Sequence, residues 1–317
     1  MAQKVSPVTV CIAARSFGSL VGVSDRMLTS GDIQFEPSTT PKIMGVSNSI
    51  AVMQSGDAAF NGEIMSEVAH IIENRIEKNR SEWWLVKDVA DLYVEHRNYA
   101  KRKRAEAALL SPLGLTLDNY RDELLKFGDS NAQQIMRDII NFDVPYTAVI
   151  VTGIDPTGAH IYVIDDGNIN CNDVIGFAAI GIGARHAESQ FMLAKHSPSV
   201  PIVDTALLAY IAKRRSEVAP GVGEATDMFT AGPGLGTLSV LPEATVAAFE
   251  KIYLNIREKE EQIRDAARQE ANDFVAKASA EAAERAEGQQ QSAVEGDLAP
   301  AERPEINAEQ SRTGKTS

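Results

Sequence analysis

Two β-branched apolar runs, VTVCIAAR and SLVGVSDR, flank Ser16, Phe17 and Gly18 near the start of the chain. That is the pattern of a β-hairpin whose glycine supplies the turn. A second pair, KIMGV and SIAVMQSG, brackets the polar Ser47 and Asn48 and predicts another turn between short strands. After Gly56 the apolar period lengthens. Phe60, Ile64, Val68, Ile71, Ile72 and Ile76 recur at helical spacing, with Asp57 placed to cap the start. A second helix is expected from near Ser81, carrying Trp84, Val89, Leu92, Tyr93 and Tyr99 and running through the basic stretch Lys101 to Arg104. Pro112 and Gly114 end it, and NAQQIMRDIINF supplies a short third helix.

Strand signals return in YTAVIVTGI and AHIYVIDD, joined through Asp155, Pro156, Thr157 and Gly158, residue types that favour a tight turn. GNINC and VIGFAAIG read as a further strand pair. Helices are expected over roughly 183 to 196 and 202 to 217, the second with an apolar stripe of Ala206, Leu207, Tyr210 and Ile211. TDMFTA and GTLSVL predict a last hairpin across Gly232, Pro233, Gly234 and Gly236. The AGPGLG stretch lies between strands rather than before a helix, so it reads as a turn and not as a phosphate loop. From Pro242 a long helix is expected, with Val246, Phe249, Ile252, Tyr253 and Ile256 on its apolar face.

Runs of strands alternating with runs of helices suit antiparallel sheets covered by helices, not a parallel βαβ fold. The fold class expected is α+β: a four-layer αββα sandwich of two antiparallel sheets flanked by helices. The organisation read from the pattern is a domain over 1 to 256, an extended helix over 257 to 287, and a tail over 288 to 317. The tail's Gln, Ser, Glu, Pro and Gly bury too little apolar surface to offset chain entropy, so disorder is expected there.

Composition narrows the function classes. With 317 residues, 44% hydrophobic and 24% charged, the chain can bury a sizeable core. No window reaches the roughly 18 uninterrupted apolar residues of a membrane span, and the N-terminus lacks the apolar centre of a signal peptide. A cytoplasmic protein without membrane partners is expected. A net charge of −13 without a dominant basic face gives no reason to expect nucleic acid. Cys11 and Cys171 sit in strand-like apolar surroundings without metal-type spacing and read as buried, reduced thiols. His70, His96, His160, His186 and His196 have no metal-type partner at i+4, and no GxSxG elbow precedes a helix. No metal and no cofactor is expected.

The opening strand VTVCIAAR, the aspartate turn GVSDRMLTSG, the lysine segment TTPKI and the glycine turn MQSGDAAF occur in that order within the first 60 residues. In this order and spacing they resemble the proteasome β-subunit family and its bacterial relatives, threonine-type N-terminal nucleophile hydrolases. The resemblance covers about residues 8 to 256. It implies Thr9 as nucleophile, Lys42 and Asp25 as the charged pair beside it, and Gly56 as the backbone N–H donor to an oxyanion. The chemistry needs those groups. The α-amine of a freed threonine, with an ordinary pKa of about 7.7 to 8.0, accepts the hydroxyl proton near neutral pH. A lysine cation favours the neutral amine and the ionising hydroxyl, an aspartate holds the lysine, and an oxyanion donor contributes about 10²- to 10³-fold in rate.

Matching back from Asp25 places Thr9 at the nucleophile, whereas matching strand to strand places Val8 there. Val8 stands where self-processing relatives carry glycine. Gly181, Ile182 and Gly183 stand where the family has a serine between two glycines, and Val218 and Gly221 lie near the places of an aspartate and a serine. Thr29 and Ser30 match a position whose backbone contacts peptide in the family. Three functions remain open: a threonine peptidase cutting unfolded polypeptides inside a homo-oligomer (a ring or stacked dimer), a shell or interaction subunit of the same fold with a degraded site, and a small-amide amidohydrolase. Nothing in the residues identifies an unfoldase partner.

Overall fold

The computed structural model describes residues 9–30, 33–38, 42–79, 82–120, 122 and 129–296, with side chains left out at 29, 30, 33, 34, 129, 130 and 287–296. The first hairpin forms as its pattern predicts: β1 (Cys11–Ser16) and β2 (Ser19–Asp25) pair antiparallel, Cys11 opposite Ser24 and Ser16 opposite Ser19. Phe17 joins Gly18 at positive φ in the turn, the two-residue geometry that matches strand twist. Two three-residue strands that the sequence pattern does not predict, β3 (Leu28–Ser30) and β4 (Ile33–Phe35), form a small separate sheet. They are too short to carry a period.

β5 (Ile43–Gly45) and β6 (Ile50–Gly56) form the second hairpin, and β6 runs into α1 (Ala58–Lys78). Asp57 caps that helix, accepting the Phe60 N–H at 2.7 Å. The next helix, α2 (Val86–Ala105), starts later than the sequence predicts: Trp84 lies before it in non-helical chain and is buried against the same core. A π-turn and a 3-10 turn carry the chain to Gly114, whose left-handed φ of 72° ends the element. α3 (Asp129–Ile140) precedes β7 (Thr147–Asp155) and β8 (Gly158–Asp165).

β9 (Asn168–Cys171) and β10 (Phe177–Ile180) are both strands but not a pair. β9 adds to β8, while β10 adds to β1 in the other sheet. The chain changes layers between them, and an apolar run reads the same in either sheet. α4 (Ala184–Leu193), α5 (Ile202–Ser216), β11 (Thr226–Ala231), β12 (Ser239–Val240) and α6 (Glu243–Gly296) complete the order.

The result is an α+β sandwich of two five-stranded antiparallel sheets, β10-β1-β2-β11-β12 and β5-β6-β7-β8-β9. Strand alternation sorts the side chains into layers. Val10, Ile12, Val21 and Val23 face α4 and α5, packing on Phe191 and Tyr210. Cys11, Ala13 and Leu20 face inward against Met53, Ile150 and Ile161 of the second sheet. That sheet's outer face, with Val52, Val149 and Val151, is covered by Phe60, Ile64 and Val68 of α1 and Tyr93 of α2.

The chain divides into compact units between Tyr253 and Leu254. In the second unit α6 runs on to Gly296, past the boundary that composition placed at 287. Its Ala, Glu, Gln and Arg content favours helix without tertiary packing. Residues 297–317 of the expected tail lie outside the described residues. Among the described residues no helix is long and apolar enough to cross a membrane.

Candidate functional site

Asp25 ends β2 with its side chain wholly buried. Its Oδ1 accepts three hydrogen bonds: from the Thr9 hydroxyl at 2.8 Å, from the Val10 N–H at 3.0 Å and from the Lys42 ammonium at 2.7 Å. Its Oδ2 accepts two more, from the Met27 N–H at 3.2 Å and the Gly223 N–H at 3.0 Å. A buried carboxylate is tolerated only when its lone pairs are filled and its charge is countered, and both conditions are met here. The register of the hairpin explains the meeting. Cys11 opposite Ser24 puts Val10 opposite Asp25, and Thr9, two residues before the strand, then reaches the same carboxylate.

Thr9 is 1% exposed. Its carbonyl accepts the Gly183 N–H at 3.2 Å, and Gly181 lies against it so closely that a Cβ there would stand 2.3 Å from that carbonyl oxygen and 2.5 Å from Thr9 Cγ2. The segment Gly181–Gly183, which turns β10 into α4, therefore fixes the Thr9 backbone through close approach and an N–H. Ile182 is partly buried in the core under α4 and α5. Lys42 sits just before β5 and is 9% exposed, with its ammonium on Asp25. Thr9, Asp25 and Lys42 are thus brought together. Of the two counts along the first strand, the one through Asp25 lands on the residue that touches it; Val8 lies outside the described residues.

Gly56 ends β6 at φ 101°, where a Cβ would stand 2.3 Å from the Tyr146 carbonyl oxygen. That close approach alone requires glycine. No hydrogen bond joins Gly56 to Thr9, Asp25 or Lys42 among the described residues. The strand that carries it does border the site, since Cys11 Sγ meets the Gln54 carbonyl at 3.5 Å. Burial pushes the Cys11 thiol up to about 12, the nearby Lys42 pulling it down and Asp25 pushing it up by lesser amounts. Cys11 is therefore a neutral packing group and no rival nucleophile. Thr29 and Ser30 pair in β3, opposite Gln34 and Ile33.

The sequence reading missed the far side of Asp25. Val218 is 72% exposed, whereas the Gly223 N–H binds Asp25 directly. Beside it, Lys213 of α5 is fully buried, with Nζ donating to Glu217 Oε1 and to the Glu224 carbonyl, each at 2.7 Å. The i,i+4 spacing of Lys213 and Glu217 was the available signal. Burial holds the Lys213 ammonium below the usual lysine pKa and the Glu217 carboxyl above the usual carboxylate value. Among the described residues no group of three or more His, Cys, Asp and Glu has the geometry of a metal site.

No protein-family model matches the chain, and no curated protein matches it.

Proposed function

We propose that this chain is a proteasome-like N-terminal nucleophile hydrolase that cuts peptide bonds of unfolded polypeptides as a subunit of a homo-oligomer, with Thr9 as its nucleophile. One observation carries the reading: the Thr9 hydroxyl and the Lys42 ammonium converge on Oδ1 of buried Asp25. A structural ion pair in a turn needs no hydroxyl there.

The chemistry requires the Val8–Thr9 bond to be broken first. The freed Thr9 amine then takes the hydroxyl proton as Oγ1 bonds to the scissile carbonyl carbon. Lys42 lowers the cost of negative charge on Oγ1, and Asp25 holds Lys42 charged and in place. The tetrahedral intermediate collapses to an ester on Oγ1 as the amine passes its proton to the leaving nitrogen, and water then hydrolyses the ester. Gly56 is the candidate oxyanion donor on the resemblance stated above. Exposed apolar side chains on α4, Met192 at 62% and Leu193 at 77%, favour assembly with further copies.

A second reading, a shell subunit that cuts nothing, draws support from the near-complete burial of Thr9 and from Ile182, which offers no hydroxyl to a terminal amine. Intact mass of the purified protein separates the two. The hydrolase reading expects a chain beginning at Thr9, turnover of an unstructured polypeptide, and loss of both in Thr9→Ala. A chain that keeps residues 1–8, or a Thr9→Ala variant with undiminished turnover, overturns it.

A further inference from the structure

We propose that Lys213 is a positioning residue of this site, holding the 217–225 loop so that the Gly223 N–H fixes the orientation of Asp25. Its catalytic consequence rests on the hydrolase reading above; its structural step does not.

An ammonium group with no solvent exposure is costly, and an apolar side chain would pack α5 against the sheet without that cost. What Lys213 gains is two acceptors, Glu217 Oε1 and the Glu224 carbonyl. The second matters for Asp25. Glu224 follows Gly223, so one continuous path runs from Lys213 Nζ to the Glu224 carbonyl, along the backbone to the Gly223 N–H and on to Asp25 Oδ2. The loop is fastened from the opposite side by Glu36, whose Oε1 accepts the Ala225 N–H at 2.9 Å. There is no slack in this clamp, because a Cβ at Gly223 would stand 2.2 Å from Glu36 Oε1 and 3.0 Å from Met27 Cβ.

The two N–H groups on Oδ2 and the three donors on Oδ1 together set the plane of the Asp25 carboxylate. Without the Gly223 N–H, Oδ2 keeps only the Met27 N–H at 3.2 Å, the carboxylate is held by four donors instead of five, and Oδ1 is held less firmly between Thr9 and Lys42. Among the described residues no hydrogen bond joins Lys213 to Thr9 or to Lys42. Lys213 also acts on Asp25 directly as a nearby charge, so exchange of the Gly223 amide reads the part of its effect that passes through the loop.

The test is Lys213→Met, which keeps the length of the side chain and removes the charge, read by amide exchange at Gly223 and by the ¹³Cγ resonance of Asp25. Exchange of the Gly223 amide is expected to accelerate about tenfold or more, on the scale of losing one charge-assisted hydrogen bond, with a shift of the Asp25 resonance. Unchanged exchange and an unchanged resonance overturn the inference. If the single variant does not fold, Lys213→Met with Glu217→Gln leaves no unpaired charge and is read the same way. In processed, active protein kcat is expected to fall about tenfold with KM unchanged; accelerated exchange with full kcat overturns the positioning role. A wild-type chain without turnover sinks the hydrolase reading alone, and the exchange measurement still decides the role of Lys213.

Discussion

Thr9 and Lys42 meet at one atom, Oδ1 of Asp25, with donor distances of 2.8 and 2.7 Å. The carboxylate is wholly buried and the lysine nearly so, so neither charge can fall back on water. Asp25→Ala is expected to destabilise the fold by about 3–5 kcal/mol, the cost typical of leaving one buried charge without its partner. Asp25→Asn leaves Lys42 equally unpaired and sets an amide NH2 against groups that are all donors, so it is expected to cost a similar amount. Urea unfolding of the two variants checks both values, and an alanine variant as stable as wild type removes the pair from the account.

Gly181 controls the same residue from behind. It holds φ 92°, and the space a Cβ needs is occupied by the Thr9 carbonyl and methyl group. Gly181→Ala is expected to cost about 1–3 kcal/mol by overpacking and backbone strain together and to move Thr9 away from Asp25. The melting temperature reports the first effect, and a crystal structure reports the second.

The buried thiol predicts an alkaline weakness. Folding raises the Cys11 pKa, through burial, from an ordinary value of 9.0 to about 12. Between those values the unfolded chain gives up a proton that the folded chain keeps, so stability falls as pH rises, by about 1.4 kcal/mol per pH unit for this group. Below pH 9 both states hold the proton and the contribution is flat. Cys11→Ala is expected to make the dependence of unfolding free energy shallower by one proton over pH 9 to 12. Cys171, expected to be buried like Cys11, is exposed because it ends the edge strand β9, so under native conditions a thiol reagent is expected to label Cys171 and to leave Cys11 unmodified.

Asp155, at the end of β7, accepts the Val86 N–H at 2.9 Å and so caps α2 from 69 residues away. Burial acts to raise its pKa, but hydrogen bonds from the Thr157 hydroxyl and from the Val86 and Thr157 N–H groups, with the His160 charge, outweigh it and hold the carboxyl below its usual value. The stability this contributes is present above the unfolded carboxylate pKa and is lost as pH falls through the folded one. Asp155→Ala is expected to cost about 0.5–2 kcal/mol at neutral pH, as cap removals do, and less in acid. Parallel denaturation at pH 7 and pH 3 checks the difference.

The local elements were legible where local forces set them. The Phe17–Gly18 turn, the Asp57 cap and the apolar stripes of α1 and α5 each follow from residues a few positions apart, and they put two sheets and their covering helices within reach of a sequence reading. The start of α2 was not legible, because its cap comes from Asp155 and Trp84 is buried without being helical. β9 and β10 were read as partners, and they part into different sheets because an apolar run is equally content in either layer.

For the candidate site, the chain itself carries the identities and order of Thr9, Asp25 and Lys42, since hairpin register follows from turn length and strand alternation. Folding alone decided that Gly223 and Lys213, some 190 residues further on, complete the surroundings of Asp25. A backbone N–H leaves no trace in a side-chain pattern, and a lysine in the last turn of a helix reads as solvated until packing closes over it.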